Sequence, residues 1–305
     1  MGNQVSRKVK SSGSKAGSVD SSSSIQEDQS KFLSTLYPLN TEEAKRQQSL
    51  HYLLKHVFQT SIFAPVEEQI KQVDSIALDI GCGLYVPWVA DIAHEYPNCT
   101  VHGLDNVEIG GFKIPDNATL IKGDLFVGLP FPDSSVDFVH QRMMKAVISV
   151  SDIPNVLEDI YRIIKPGGWL EILEPQVAPR RAGPLMTKLF VHILVLLETN
   201  LGGKSLMGDS SVRDLKEAGF QQIKTDYGSV PICWGGYMGK IFYDYLVSIL
   251  KNMGPLIYEH VGLPGVYNPE KYEDHIDKAF DECVEYQTYF DFYWTIGQKP
   301  EDSPL

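Results

Sequence analysis

One short stretch limits the fold more than any other. In Leu78-Asp79-Ile80-Gly81-Cys82-Gly83 an apolar run ends in glycines, and a helical pattern begins at Val86. A strand that passes through glycine directly into a helix is the opening of a βαβ unit. The alternation then continues. Val86 to His94 reads as a helix, Thr100 to Leu104, Ala118 to Ile121 and Val136 to Val139 as strands, Ile153 to Ile164 as a helix and Trp169 to Leu173 as a strand. Strands alternating with helices predict an α/β protein with a doubly wound sheet, whose ligands sit at the carboxyl ends of the strands. Upstream, Asn40-Thr41-Glu42-Glu43 has the form of a helix start. Leu50, Leu53, Leu54, Val57 and Phe58 follow it at helical spacing.

After Glu174 the pattern loosens. Leu185–Leu197, Val212–Ala218, Tyr237–Lys251 and Pro269–Tyr286 read as helices, Phe220–Thr225 as a strand, and Tyr289–Ile296 as a closing aromatic strand. Alternation along that last strand places Phe290, Phe292 and Trp294 in the core. A domain over residues 31–305 is expected, with a helical lid inserted around 184–210 and 232–287 above the glycine turn. Residues 1–30 hold ten serines and almost no large apolar side chains, the composition of a disordered tail. That tail begins Met1-Gly2-Asn3-Gln4-Val5-Ser6, the pattern for myristoylation of Gly2, and carries Arg7, Lys8, Lys10 and Lys15. One acyl chain holds a membrane only marginally, so the cations would supply a second signal for peripheral attachment. The alternative is a plain solvated tail. With no signal-peptide core, and a longest apolar run (Leu189–Leu197) too short to cross a bilayer, an intracellular, cytoplasmic location is expected.

The charge balance, 27 basic against 39 acidic residues, argues against nucleic acid as a partner. The four cysteines show no paired spacing for zinc or disulfides. The chemistry therefore concentrates at the glycine turn. Its glycines let a ligand approach the backbone, and Asp105, ending the next strand, can accept the hydroxyl protons of a ribose. A dinucleotide fingerprint requires a third glycine at position 86, where this chain has valine. Asp79, immediately before the turn, would repel a diphosphate but can hold an ammonium. A ligand that joins adenosine to an amino acid without phosphate is S-adenosylmethionine (SAM).

LDIGCG, GLD at 103–105, GDL at 123–125, LPFPDSSVDFVHQR at 129–142 and KPGGWLEILEP from Lys165 closely resemble class I SAM-dependent methyltransferases. DFVHQR, WGG at 234–236 and the closing YFDFYW resemble a fungal subgroup related to secondary-metabolism regulator methyltransferases. The resemblance implies a doubly wound, mostly parallel seven-stranded sheet of the Rossmann-like methyltransferase type. It implies SAM as cofactor, with Gly81 and Gly83 close to it and Asp79 orienting its amino group. Asp105 would then bind the ribose, Asp124 the adenine amino group, and Leu125 would lie against the base. His140 to Arg142 would lie near the sulfonium methyl. His140 and Glu174 are the catalytic candidates, and Gln141, Trp234 and Tyr237 are further acceptor-side candidates. Relatives carry a third glycine in the turn, where this chain reads Leu84-Tyr85-Val86-Pro87. Either the turn reshapes and admits the cofactor, or its side chains fill the site. The readings that follow are a methyltransferase with a small-molecule acceptor, or an inactive methyltransferase-fold module recruited to membranes. The oligomeric state is not legible.

Overall fold

The computed structural model describes residues 31–110, 112–201, 210–260 and 265–302. The tail, including Gly2 and its four cations, lies outside the described residues, as do residues 202–209 of the first expected insertion.

The sheet is built around β1 (Ile76–Ile80). Leu78 and Ile80 point to one face and Ala77 to the other, and all three are fully buried. A strand apolar on both faces suits only the interior of a covered parallel sheet. Around it lie β2 (Thr100–Asp105), β3 (Ala118–Lys122), β4 (Val136–Arg142), β5 (Ile164–Pro175), β6 (Gln221–Pro231) and β7 (Tyr289–Gln298). Their order is β3-β2-β1-β4-β5-β7-β6. The pairs from β3 to β5 are parallel, while β7 runs antiparallel to both β5 and β6. This is the mostly parallel seven-stranded sheet that the sequence leads one to expect.

Helices cover both faces. α1 (Thr41–Phe58) is capped by Asn40, whose Oδ1 accepts the Glu43 N–H at 2.8 Å. The short α2 (Glu67–Ile70) and α3 (Pro87–Glu95) pack over Ala77, Phe138 and Trp169. On the opposite face, α4 (Ile153–Ile163) buries Val156, Leu157, Ile160 and Ile163, a single stripe at helical spacing. α6 (Ser211–Glu217) joins that face through Leu215.

The remaining helices, α5 (Pro184–Leu201), α7 (Tyr237–His260) and α8 (Pro269–Tyr286), form a third apolar cluster with α1. That cluster rests on Leu173, Val230, Phe290 and Phe292. Leu173 and Val230 are near the carboxyl ends of β5 and β6, and Phe290 and Phe292 lie at the start of antiparallel β7. All four therefore sit at the end of the sheet where β1 delivers the glycine turn. Of the three aromatics expected in the core, Phe290 and Phe292 are buried, and Trp294 stacks on Phe63 with ring centroids 5.2 Å apart.

Candidate functional site

The turn after β1 is shaped by two glycines at positive φ. Gly81 and Gly83 have φ of +71° and +72°, a region that side chains rarely enter. A Cβ on Gly81 would collide with the sulfur of Met144, and one on Gly83 with the amide oxygen of Gln47. The N–H groups of Gly81 and Cys82 both bond to the carbonyl of Leu104, at 2.8 and 3.2 Å, which ties the turn to β2.

The missing third glycine is absorbed locally. Val86 takes a left-handed conformation, φ 41° and ψ 46°, as the residue that caps α3. Its side chain is fully buried in the core beneath α3. Tyr85 packs edge-on against Phe112, with ring centroids 5.7 Å apart. A β-branched residue at positive φ costs about 1–2 kcal/mol, and burying a valine returns about 1.5–3 kcal/mol, so the strained turn persists.

Three acids line the carboxyl ends of β1 to β3. Asp105 Oδ2 accepts the Gly83 N–H at 3.0 Å and Oδ1 that of Val107 at 3.3 Å, which sets the carboxylate against the turn. Asp79 is only 4% exposed, and no hydrogen bond among the described residues reaches its carboxylate. Burial pushes its pKa up to about 6, against the lowering pull of His140 and Arg142. Asp124 is exposed, with Oδ1 accepting the Phe126 N–H at 2.9 Å, and Leu125 packs partly buried against the α4 face of the core.

β4 contributes the next group. His140 stands in register with Asp79 and is 1% exposed. It stacks on Trp88 with centroids 4.4 Å apart and planes 3° from parallel. Its Nδ1 lies 3.1 Å from Glu171 Oε1, and its Nε2 is buried with no partner. Glu171, fully buried on β5, uses Oε2 to accept the N–H groups of Phe63 and Ala64 at 2.6 and 2.9 Å. An acceptor at both oxygens, Glu171 takes a proton donated by Nδ1, and this tautomer leaves a lone pair on Nε2.

Sequence reasoning missed Glu171, although one signal was present. It is an acid inside the apolar run Trp169–Leu173, and its register partner is His140. The two catalytic candidates, His140 and Glu174, are not brought together. Glu174, three residues beyond Glu171, projects from the other face of the sheet. There its Oε1 accepts the N–H groups of Met144 and Lys145, at 2.8 and 3.1 Å, and holds the turn after β4. Burial pushes Glu174 up to about 7, with Lys145 opposing. Gln141 shares that face, in a separate cavity with Lys145 and Asp214. Trp234 is anchored by its indole N–H to the carbonyl of Thr288 at 2.6 Å, and Tyr237 is 78% exposed. Among the described residues there is no cluster of side chains suited to holding a metal, and no helix is long and apolar enough to cross a membrane.

A family model described as "Methyltransferase domain" matches residues 78–172, from within β1 to within β5. The matched stretch contains Asp79, both glycines of the turn, Asp105, Asp124, His140 and Glu171.

Relatives extend the likeness beyond it. A secondary metabolism regulator laeA from Aspergillus niger is 27% identical over 65% of this chain and 53% of its own length. The regulator LAE1 from Cochliobolus heterostrophus is 33% identical over 48% of this chain and 47% of its own. The N-methyltransferase verN from Clonostachys rogersoniana is 26% identical over 86% of this chain and 91% of its own. The chain spans about half the length of the regulators it matches. Among solved structures, a phosphoethanolamine N-methyltransferase 2 from Haemonchus contortus aligns at 16% identity and TM-score 0.45, covering 88% of this chain and 59% of that one.

Proposed function

We propose that this protein transfers the methyl group of SAM to a small-molecule acceptor. The observation that carries the reading is the buried, unpartnered carboxylate of Asp79 beside the glycine turn. A buried carboxylate without a hydrogen-bond donor is costly unless a cation arrives. The ammonium of SAM is such a cation. Asp105, fixed against Gly83, keeps lone pairs free for ribose hydroxyls, and exposed Asp124 keeps one oxygen for an adenine amino group, with Leu125 beside the base. The donor set therefore fits SAM.

Bound SAM supplies an electrophilic methyl on a sulfonium, open to in-line displacement. The protein's part is alignment, exclusion of water and, where the nucleophile carries a proton, its removal. His140 is built for that removal. Glu171 orients the ring and stabilises its protonated form, and Nε2 is the free acceptor. The name of verN, a relative matched along most of its length, supports a nitrogen acceptor. His140→Gln is expected to lower kcat by about 10²–10⁴-fold while SAM affinity stays within a few fold. An unchanged kcat would remove the base role. For the tail, the same reading extends to reversible membrane attachment through Gly2 and its cations.

A further inference from the structure

Beside His140, between α1, α3 and the end of β4, opens a narrow cleft. Its walls include Leu54, Phe58, Phe63, Trp88 and Leu173. Three polar groups enter it. His140 Nε2 and Ser61 Oγ are buried atoms with no hydrogen-bond partner. The third is the guanidinium of Arg142, two residues beyond His140 on the same side of β4.

Arg142 is held in an unusual way. Its Nη1 donates to His51 Nδ1 at 3.1 Å, and His51 Nε2 lies 3.0 Å from Asp91 Oδ2. Asp91 is shared with Lys55, whose Nζ donates at 2.6 Å. Burial and the neighbouring guanidinium hold His51 well below the usual histidine range, at about 4, while its bond to Asp91 pulls the other way. The ring is therefore neutral at ordinary pH, with Nε2–H given to Asp91 and Nδ1 accepting from Arg142. Asp91 thus touches Arg142 only through the imidazole. No carboxylate among the described residues bonds the guanidinium directly. Asp79 acts on it by charge alone, and that acid is committed to an ammonium in the reading above. A desolvated cation oriented by a neutral acceptor, with donors to spare, is poised for an anion.

We propose that this cleft receives the carboxylate of the methyl acceptor: Arg142 binds the anion and Ser61 donates to it. The assignment to an acceptor rests on the SAM reading; the preference of the cleft for a carboxylate does not. The space left between its walls is narrow, so the cleft takes the carboxylate itself and leaves the rest of the acceptor outside. His140 Nε2 at its edge would then face the nucleophile of the same molecule.

The test uses benzoate, benzylamine and benzyl alcohol as probes of equal size, titrated calorimetrically into the full chain with and without saturating S-adenosylhomocysteine. Benzoate is expected to bind at least tenfold more tightly than benzylamine or benzyl alcohol. At pH 8, where Asp79 stays ionised without the neighbouring guanidinium, Arg142→Met should weaken benzoate at least tenfold and change S-adenosylhomocysteine affinity less than threefold. Equal binding of the three probes by wild-type protein, or none, would overturn the proposal without any variant having to fold; the cleft would then hold water alone. If Arg142→Met instead weakens S-adenosylhomocysteine tenfold and leaves 5′-methylthioadenosine unchanged, the carboxylate belongs to the cofactor and the acceptor assignment falls. Benzoate binding by a chain that ignores S-adenosylhomocysteine would keep the anion site and remove the SAM reading.

Discussion

At the scale of single residues, Asp79 trades stability for binding. An unfolded aspartate titrates near 3.9, whereas burial pushes Asp79 up to about 6. The folded chain holds that proton more tightly, so stability contributed by the protonated form is present at pH 4 and is lost as pH rises through about 6. The loss amounts to about 3 kcal/mol by pH 7. Asp79→Asn should therefore be more stable than wild type at pH 7 by up to that amount, and no more stable at pH 4. Denaturant unfolding at the two pH values checks this, and a variant destabilised equally at both would contradict it. SAM affinity of the wild type should fall as pH drops below about 6, because only the ionised acid holds the ammonium. The acid was legible in the sequence because it abuts the glycines. Glu171 was not, because its role follows from the register between β4 and β5, which no local pattern encodes.

At the scale of elements, the turn into α3 carries the departure from the glycine pattern. Val86 and Val89 are both fully buried in the same cluster, yet only Val86 has positive φ. Replacing Val86 by glycine loses about 1.5–3 kcal/mol of burial but relieves about 1–2 kcal/mol of backbone strain. Val89→Gly loses similar burial and adds about 1 kcal/mol of helix propensity. Thermal unfolding should rank Val86→Gly as the milder change; the reverse order would mean that the turn is not strained. The alternation of β1 to α4 was readable because each period is clean. The first residues of β5 were not, since Lys165-Pro166-Gly167-Gly168 reads as a turn, yet Gly167 and Gly168 are tied to Lys299 beyond β7. The length of β6 was also hidden. It is an edge strand, largely exposed from Gln221 to Ser229, so it shows little hydrophobic pattern.

At the scale of the molecule, the helices α1, α5, α7 and α8 gather at the end of the sheet where the site's acids lie, and Trp294 with Phe63 joins their cluster to the core beneath α3. A chain of net charge −12 repels an acidic membrane surface as a whole, so attachment would depend on the tail. Gly2→Ala should move the protein from the membrane to the soluble fraction of cells, and an unchanged partition would end the myristoyl proposal. In the proposed function the glycine turn binds SAM without its third glycine. Calorimetric titration of the full chain with SAM and S-adenosylhomocysteine tests it directly. Micromolar binding of both is expected, weakened about 10–100-fold in Asp105→Ala by loss of charge-assisted hydrogen bonds to the ribose. Folded protein that binds neither ligand at millimolar concentration would contradict it and favour a non-catalytic module.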